Sequence, residues 1–366
     1  MELYDRLTAG RTQFVRIDDL CRRAADEGLL PSNDEFAAEA RRPLREKKGL
    51  ERKQGRLLAD ILSDPVAGTH LCHAMLLPRN DSVALLADYE RTGERDLGGA
   101  HIKRHGKASV VTMRNPKYLN AEDETTIDPL EIAVDLALLD PKTEVCVLRG
   151  DTVTHPKYAG RRLFGAGINL THLYEGQIRY LWYLIRDLGL VNKMYRGLAN
   201  PGASPEVAST EKLWIAAVEG FAIGGHCQIL LTMDYTIAAR DAYLTLPARK
   251  EGIVPGAANL RLPRFVGDRI ARQAILAERR IDCASPEGQM ICDVVAADVD
   301  AALAETVERL TSSGIVSAAA NRRAFRAGEE PLDTFRRYMA IYAREQAECH
   351  LSPALIANLE RNWKKR

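Results

Sequence analysis

The first 79 residues have the apolar spacing of amphipathic helices. They are rich in Ala, Leu, Arg and Glu and contain few clusters of β-branched residues. This pattern predicts several helices, one of which begins at Ser32 as its N-cap, with Asp34 and Glu35 in its first turn. A run of Arg and Lys between residues 41 and 53 includes Glu46 and Glu51. The mixture of charges favours a solvated helical face over a phosphate or nucleic-acid patch.

The pattern changes after the pair Gly98-Gly99, where short apolar runs begin to alternate with longer helical ones. Such alternation predicts an α/β domain, with helices packed outside a sheet. The expected strands are residues 100–103 and 108–113, paired around His105-Gly106, and residues 144–148, 214–218 and 235–239; a helix is expected at 122–139.

Beyond Gly252 the helical pattern returns, at residues 267–276, 299–311 and 332–349, and an amphipathic segment with a basic end follows at 353–366. We therefore expect three parts. They are an N-terminal helical domain at residues 1–97, an α/β core at 98–277, and a C-terminal helical region at 278–366 that serves packing or oligomerisation.

The stretch most suggestive of chemistry is residues 214–234, which reads as strand, turn and helix around Gly224-Gly225. The first N–H groups of a helix lack partners within it, and glycine lets a ligand oxygen approach the backbone closely. Such amides suit an oxygen that becomes negative during a reaction. The alternative is a tight turn that only lets the helix pack on the strand.

Composition narrows the possible functions. Among 366 residues, 51 Lys and Arg balance 50 Asp and Glu, so the formal charge is +1 and no bulk field attracts nucleic acid or membrane. No apolar run is long enough to span a bilayer, and the N-terminus lacks the features of a signal peptide. We expect a cytoplasmic protein whose seven scattered cysteines are reduced thiols.

Local spacing also gives no support for a metal or a cofactor. The eight histidines form no H-x-x-x-H or H-E-x-x-H pattern, and neither a dinucleotide-binding nor a P-loop glycine motif occurs. We therefore expect no metal and no nicotinamide, flavin or P-loop nucleotide.

Two glycine-rich motifs resemble those of the crotonase superfamily, the enoyl-CoA hydratase/isomerase group. They are F-G-A-G-I-N-L from Phe164, and A-V-E-G followed by I-G-G-H-C-Q from Ala217; N-P and L-N-A at residues 115–116 and 119–121 match an earlier element. The resemblance implies a core of repeated ββα units, an acyl-CoA substrate, and assembly as a trimer or a dimer of trimers. It also implies that the N–H groups of Ile168 and Gly225 hold the thioester oxygen while an enolate forms.

Two departures from the family pattern change the expected reaction. Gln228 stands where hydratases carry a catalytic Glu, and an amide does not act as a general base, so water addition is disfavoured. His226 replaces the usual third Gly, either as a packing or orienting residue or as a catalytic one.

The chain is more closely similar to a cofactor-free dioxygenase branch of this superfamily. The similarity is carried by H-P-K-Y-A-G-R-R from His155, L-W-Y-L-I-R-D-L-G from Leu181, L-P-A-R-K-E-G-I-V-P-G from Leu246, and the helical extension before residue 80. It implies that (3,5-dihydroxyphenyl)acetyl-CoA and O2 give (3,5-dihydroxyphenyl)glyoxylate and CoA, as a step toward a glycopeptide antibiotic precursor.

That similarity also implies a set of site residues. A small apolar oxygen pocket would be lined by Leu170, Ala248, Ile253 and Pro353, although each alone fits ordinary core packing. Substrate-binding groups would be Glu122, His155, Asn169 and Arg186, with Gln228 as a further polar partner; Lys157, Arg161 and Arg162 are options for the phosphates of CoA.

Several alternatives stay open at this point. Glu122 also fits the first turn of a helix, and Arg186 also fits the solvent face of one. A thioesterase or isomerase acting on an aromatic acyl-CoA, or an acyl-CoA-binding protein without activity, would share the same motifs. The group that removes the Cα proton does not follow from the sequence.

Overall fold

A bundle of helices precedes the sheet in the computed structural model, which describes residues 2–363. The predicted N-cap at Ser32 is confirmed and forms a full capping box, because Ser32 Oγ accepts from the Glu35 amide at 3.2 Å and the Glu35 carboxylate accepts from the Ser32 amide at 2.8 Å. The helices of this part are α1 (Glu2–Leu7), α2 (Ile17–Asp26), α3 (Asn33–Ala40), α4 (Glu51–Ser63), α5 (Pro65–Leu76) and α6 (Asn80–Thr92).

The basic run at residues 41–53 does not form one helical face as expected. Pro43 interrupts it, and the chain passes through a 3-10 turn at Leu44–Glu46 before α4 begins. Arg45 and Arg52 reach across to Glu360 and Glu348 at 3.1 and 2.9 Å. Part of this charge therefore ties the N-terminal helices to the end of the chain.

The alternation after Gly98-Gly99 gives the predicted α/β core. The predicted hairpin and the three further predicted strands are confirmed, and the helix expected at 122–139 begins later. The elements are β1 (Glu94–Asp96), β2 (Ala100–His105), β3 (Ala108–Met113), α7 (Ile127–Leu139), β4 (Val145–Gly150), α8 (Leu170–Tyr174), α9 (Tyr180–Ile185), a π-helical turn (Arg186–Val191), α10 (Asn192–Arg196), β5 (Leu198–Ala199), β6 (Ser209–Thr210), β7 (Leu213–Val218), β8 (Phe221–Ile223), α11 (Gly225–Leu230), β9 (Tyr235–Ala239), β10 (Tyr243–Thr245), α12 (Ala248–Glu251), α13 (Ala258–Ala277), β11 (Ile281–Asp282) and β12 (Val294–Ala296).

The main sheet has the order β1-β2-β3-β4-β7-β9-β12, antiparallel over its first three strands and parallel from β3 onward. A second sheet, β11-β10-β8, lies beside the site described below, and β5 pairs with β6. Residues 94–96 and 294–296 thus belong to the main sheet, although they fall outside the expected core at 98–277. The three-part division stays a prediction.

Four helices end the described chain: α14 (Val299–Leu310), α15 (Ile315–Glu329), α16 (Leu332–His350) and α17 (Pro353–Asn362). The expected helices at 299–311 and 332–349 are confirmed to within a residue. Helix α16 packs along α4, and it approaches so closely that a Cβ at Gly55 would lie 2.5 Å from Cβ of Ala347. The tail therefore packs on its own chain; the residues after 363 lie outside the described part.

Most of the buried apolar side chains belong to one dominant core. All seven cysteines are free thiols, and six of them are buried. Within residues 2–363, no helix combines the length and apolarity that crossing a bilayer requires.

The contact at Gly55 gives a stability prediction. Gly55→Ala should lower the free energy of unfolding by about 1–3 kcal/mol, because the new methyl forces α4 and α16 apart. Gly328→Ala in α15 is the matched control, since a Cβ there meets nothing within 4 Å and should stabilise the helix by up to about 1 kcal/mol. Urea denaturation of both variants measures the difference; equal stabilities would contradict the close packing.

Candidate active site

The two glycine-rich turns lie against each other. The first turn pairs in parallel with β8. Gly165 N–H donates to Phe221 O at 3.1 Å, and Ile223 N–H donates to Gly165 O at 3.0 Å. Gly167 has φ +78°, and a Cβ there would lie 2.7 Å from Ile223 O and 3.3 Å from Gly225 N. Only glycine allows the first turn to approach the second this closely.

The amides of Ile168 and Gly225 are left without acceptors. Glu122 N–H donates to Gly167 O at 2.7 Å, and Asn169 N–H donates to Glu122 O at 2.8 Å, so the backbone pairing passes over Ile168 N–H. Gly225 opens α11, where the first amides have no intrahelical partner. Across residues 2–363 neither amide donates to a protein acceptor. Two adjacent free donors can bind an oxygen that gains negative charge.

The side chain of His226 holds the first glycine-rich turn in place. Its Nδ1 accepts from Gly167 N–H at 2.9 Å, which assigns the proton of the neutral ring to Nε2. The ring is fully buried with its edge toward Phe164, and burial lowers the pKa of His226 to about 4. These contacts favour the orienting interpretation of His226 over a catalytic one.

Arg186 and Glu122 form a buried ion pair directly beneath Gly225. The guanidinium binds both carboxylate oxygens, at 2.8 and 2.9 Å, and also donates to Gly225 O at 2.8 Å. A Cβ at Gly225 would lie 2.5 Å from Glu122 Oε2. Arg186 is therefore paired and not solvent-facing, and Glu122 precedes α7 in an extended bridge with Ile168 instead of occupying the first helical turn.

The charge of Glu122 follows from this pairing. Burial acts to raise the pKa of Glu122, but the charge of Arg186 and its hydrogen bonds outweigh it and hold the pKa below its usual value. Glu122 is therefore an anion in the folded protein, and its basicity is low.

Gln228 completes the cluster with both ends of its amide. Its Oε1 accepts from Arg186 Nη1, and its Nε2 donates to Asp187 Oδ1. The fit is tight, because a Cβ at Gly256 would collide with the Gln228 amide. Burial raises the pKa of Asp187, with partial compensation from Arg186. A carboxylate in place of Gln228 would face Asp187.

The apolar candidates are not equally placed. Ala248 is buried at the start of α12, and Leu170 and Ile253 are partly buried against the main core. Pro353 is exposed at the first turn of α17. Two residues later, Leu355 is buried and its Cα would lie 3.2 Å from a Cβ at Gly252. In this stretch Leu355, and not Pro353, is the buried apolar residue.

Two of the expected substrate-binding residues have other partners. Asn169 Oδ1 caps α8 by accepting from the amides of Thr171 and His172 at 3.1 and 3.3 Å, and its Nδ2 donates to Asp123 at 2.9 Å. His155 lies on a separate loop, where its Nδ1 accepts from the Lys157 amide at 3.3 Å. The structure thus brings Glu122, Arg186 and Gln228 together but does not bring His155 to them.

The cationic candidates for CoA line that same loop and the residues after it. Lys157 lies over the Tyr158 ring, and Arg161 is 3.4 Å from Asp241. Arg162 is shared between Glu219 and Asp300, at 3.3 and 3.4 Å. Lys157 is therefore the least engaged of these cations.

Sequence reasoning missed two carboxylates at the site, Asp187 and Glu251. A Cβ at Gly224 would lie 3.8 Å from Glu251 Oε2, so this side chain lies beside the second turn. The spacing held a usable signal, because Glu251 follows Ala248 by three residues on one helix and shares its face. Among residues 2–363 no cluster of three or more His, Cys, Asp or Glu side chains suits a metal ion.

The fold and motifs place the chain in a known family. Residues 104–346 match the enoyl-CoA hydratase/isomerase family. The crystal structure of an enoyl-CoA hydratase from Mycobacterium avium subsp. paratuberculosis superposes with a TM-score of 0.61 at 21% identity, covering 74% of this chain and 98% of that one. The chain belongs to the enoyl-CoA hydratase/isomerase family, as the resemblance implied.

Within that family, the chain is 46% identical over 351 residues to (3,5-dihydroxyphenyl)acetyl-CoA 1,2-dioxygenase of Amycolatopsis orientalis, covering 94% of this chain and 80% of that protein. It is 28% identical over 244 residues to carnitinyl-CoA dehydratase of Citrobacter koseri, covering 65% of this chain and 85% of that protein. The similarity to the dioxygenase therefore extends into the N-terminal helices, where the family match does not reach.

The buried His226 predicts a pH dependence of stability. The folded state keeps the ring neutral down to about pH 4, whereas the unfolded ring takes up a proton near pH 6.5, so acid favours unfolding over that interval. His226→Asn keeps an acceptor for Gly167 N–H and removes the titration. We expect the loss of unfolding free energy between about pH 7 and 4 to be about 3 kcal/mol smaller in the variant. Urea titrations measure it; parallel pH profiles would contradict the assignment.

Proposed function

We propose that this chain is a cofactor-independent dioxygenase that converts (3,5-dihydroxyphenyl)acetyl-CoA and O2 to (3,5-dihydroxyphenyl)glyoxylate and CoA. The observation that carries the proposal is the pair of free amides at Ile168 and Gly225, next to a Gln228 whose side-chain amide is hydrogen-bonded at both its oxygen and its nitrogen. The similarity to the Amycolatopsis dioxygenase over 94% of the chain supports the choice of substrate.

The two amides would bind the thioester oxygen and stabilise the enolate that forms when Cα loses a proton. Each such donor contributes about 2.7–4 kcal/mol to a transition state with this charge. Both donors belong to the backbone, so their geometry depends on neighbours. Ile168 is fixed on both sides: His226 accepts from the amide of Gly167, and the Asn169 side chain caps α8. Arg186 donates to the carbonyl of Gly225.

The enolate would then react with O2 without an added electron carrier. One electron passes from the enolate to O2, and the resulting superoxide and Cα radical combine to form a C–O bond. The peroxide attacks the thioester carbon and expels CoA. Loss of the second Cα proton with O–O cleavage leaves one oxygen atom as the ketone and the other in the carboxylate, so both atoms of O2 enter the product.

Two parts of the site would serve this chemistry. Leu170, Ala248 and Ile253, with Leu355 behind them, would form a small dry space beside Cα in which O2 meets the enolate before water does. Glu122, Arg186 and Gln228 would orient the dihydroxyphenyl ring, because the Glu122 oxygens keep lone pairs that can accept from ring hydroxyls.

Further expectations stay predictions. Lys157 would lie near the CoA end of the substrate, since its loop packs against β8 through Tyr158 and Phe221. His155, on the same loop, stays a predicted substrate-binding residue. Assembly as a trimer or a dimer of trimers and a role in making a glycopeptide antibiotic precursor follow from the family resemblance alone, and the cytoplasmic location follows from the sequence features given above.

The reaction predicts O2 consumption with (3,5-dihydroxyphenyl)acetyl-CoA. We expect one O2 per CoA released, no change on adding a chelator, and both atoms of labelled O2 in the glyoxylate by mass spectrometry. The anaerobic sample is the control. CoA release at an equal rate without O2 would indicate a thioesterase, and thermal protection without any turnover would indicate a binding protein.

Gln228→Glu should abolish oxygenation while the chain still folds. The new carboxylate cannot donate to Asp187 and repels it, so Arg186 is drawn away from Gly225 O and the second turn is disturbed. We expect a loss of O2 uptake of about 100-fold or more. Gln289→Glu, at an exposed position, is the matched control. Unchanged oxygenation would place Gln228 outside the site.

A further inference from the structure

Glu251 lies beside the second glycine turn because of how two strands pair. Strand β10 runs parallel to β8, with Thr245 opposite Ile223, and Gly224 N–H donates to Thr245 O at 2.8 Å. Helix α12 begins three residues later and ends at Glu251. This path brings the Glu251 carboxylate back over Gly224, on the segment that also carries Ala248 and Ile253.

The other ionisable groups near the free amides already have strong partners. Glu122 is held at both oxygens by Arg186, Asp187 accepts from Gln228, and His226 Nδ1 accepts from Gly167 N–H. A proton on any of these engaged atoms would replace a buried interaction.

Glu251 differs from them. Its carboxylate makes no hydrogen bond or ion pair with any of residues 2–363, and its side chain is only partly accessible. The charged groups that act on it are Lys250 on the same helix and Glu278, which pairs with Arg249 at 3.0 Å; Tyr183 is the nearby phenol. A partly enclosed carboxylate without a partner, next to a pair of free amides, is available for proton transfer.

We propose that Glu251 is the general base that removes the Cα proton of the bound arylacetyl-CoA. This assignment rests on the proposed function. The motifs leave the proton-removing group open. Glu251 lies on the same face of α12 as Ala248.

The step balances as a proton transfer. The Glu251 carboxylate forms an O–H bond to the Cα proton, and the electron pair of the broken C–H bond forms a double bond between Cα and the thioester carbon. The π pair of the carbonyl moves onto its oxygen, which Ile168 and Gly225 N–H groups stabilise. The neutral Glu251 then passes its proton to the departing CoA thiolate, which leaves a carboxylate ready for the second Cα proton.

The electrostatics of the position support this role. Burial raises the pKa of Glu251 to about 8; Lys250 acts to lower it and Glu278 to raise it further. A base is most effective when its pKa lies near the working pH. Because the proton must be absent for the reaction to start, kcat/KM should rise with pH up to about 8 and then level off.

The test compares Glu251→Gln, Glu251→Asp and the exposed control Glu305→Gln with the wild type. Two rates are measured on (3,5-dihydroxyphenyl)acetyl-CoA: O2 uptake in air, and deuterium entry at Cα in anaerobic D2O. We expect Glu251→Gln to lose both rates by about 100-fold or more, without the rise toward pH 8, and Glu251→Asp to recover part of the loss. Glu305→Gln should match the wild type.

The outcomes separate the base from the proposed function. A wild type that neither consumes O2 nor exchanges Cα hydrogen overturns the function itself. An active wild type with Glu251→Gln within threefold of it in O2 uptake overturns only the assignment of Glu251. Loss of activity that accompanies a lower melting temperature in both Glu251 variants, with no recovery by Asp, would show a structural role and also overturn it.

Discussion

One buried guanidinium holds the site together. Arg186 binds the segment before α7 through Glu122, the first residue of α11 through the Gly225 carbonyl, and the second turn of that helix through Gln228. Removing one partner of such a buried pair costs about 3–5 kcal/mol, because the other charge is left unpaired. The ion pair also fills the space that a side chain at position 225 would need. The free amide of Gly225 therefore depends on the absence of a side chain at that position and on an intact ion pair between Arg186 and Glu122.

The saturation of the polar groups has a chemical consequence. Gln228, Glu122 and the Nδ1 of His226 are all engaged, so none of them readily supplies a proton to the thioester oxygen or to Cα. An enolate that two amides stabilise but few groups can reprotonate persists longer. Persistence is what a reaction with O2 requires, since the gas is dilute and must diffuse into the pocket.

Much of the fold was predictable because its signals are local. The N-cap at Ser32, the hairpin around Gly106 and the strand, turn and helix around Gly224 depend on residues a few positions apart. The motifs at Gly167 and Gly225 also predicted which amides would be free, through resemblance to a family. Site residues that were predicted outside these two motifs were placed less well, because Pro353 is exposed and His155 lies on a separate loop.

The parts that were not predictable depend on contacts between distant segments. Gln228 meets Asp187 across 41 positions, and Arg186 meets Glu122 across 64. No periodicity records such pairings, and a π-helical turn at Arg186–Val191 has no simple sequence signature. Glu251 escaped notice for a related reason: its role depends on the strand pairing that carries α12 back to Gly224.

The packing of α4 against α16 constrains how the chain is made. Arg336 binds the carbonyl of Leu62, 274 positions earlier in the sequence. On the ribosome the apolar face of α4 is therefore synthesised long before the helix that covers it, and it stays open to solvent or to chaperones meanwhile. Bringing the two segments together carries an entropy cost that grows with the length of the loop between them. The helical extension is thus completed only when the last helices arrive.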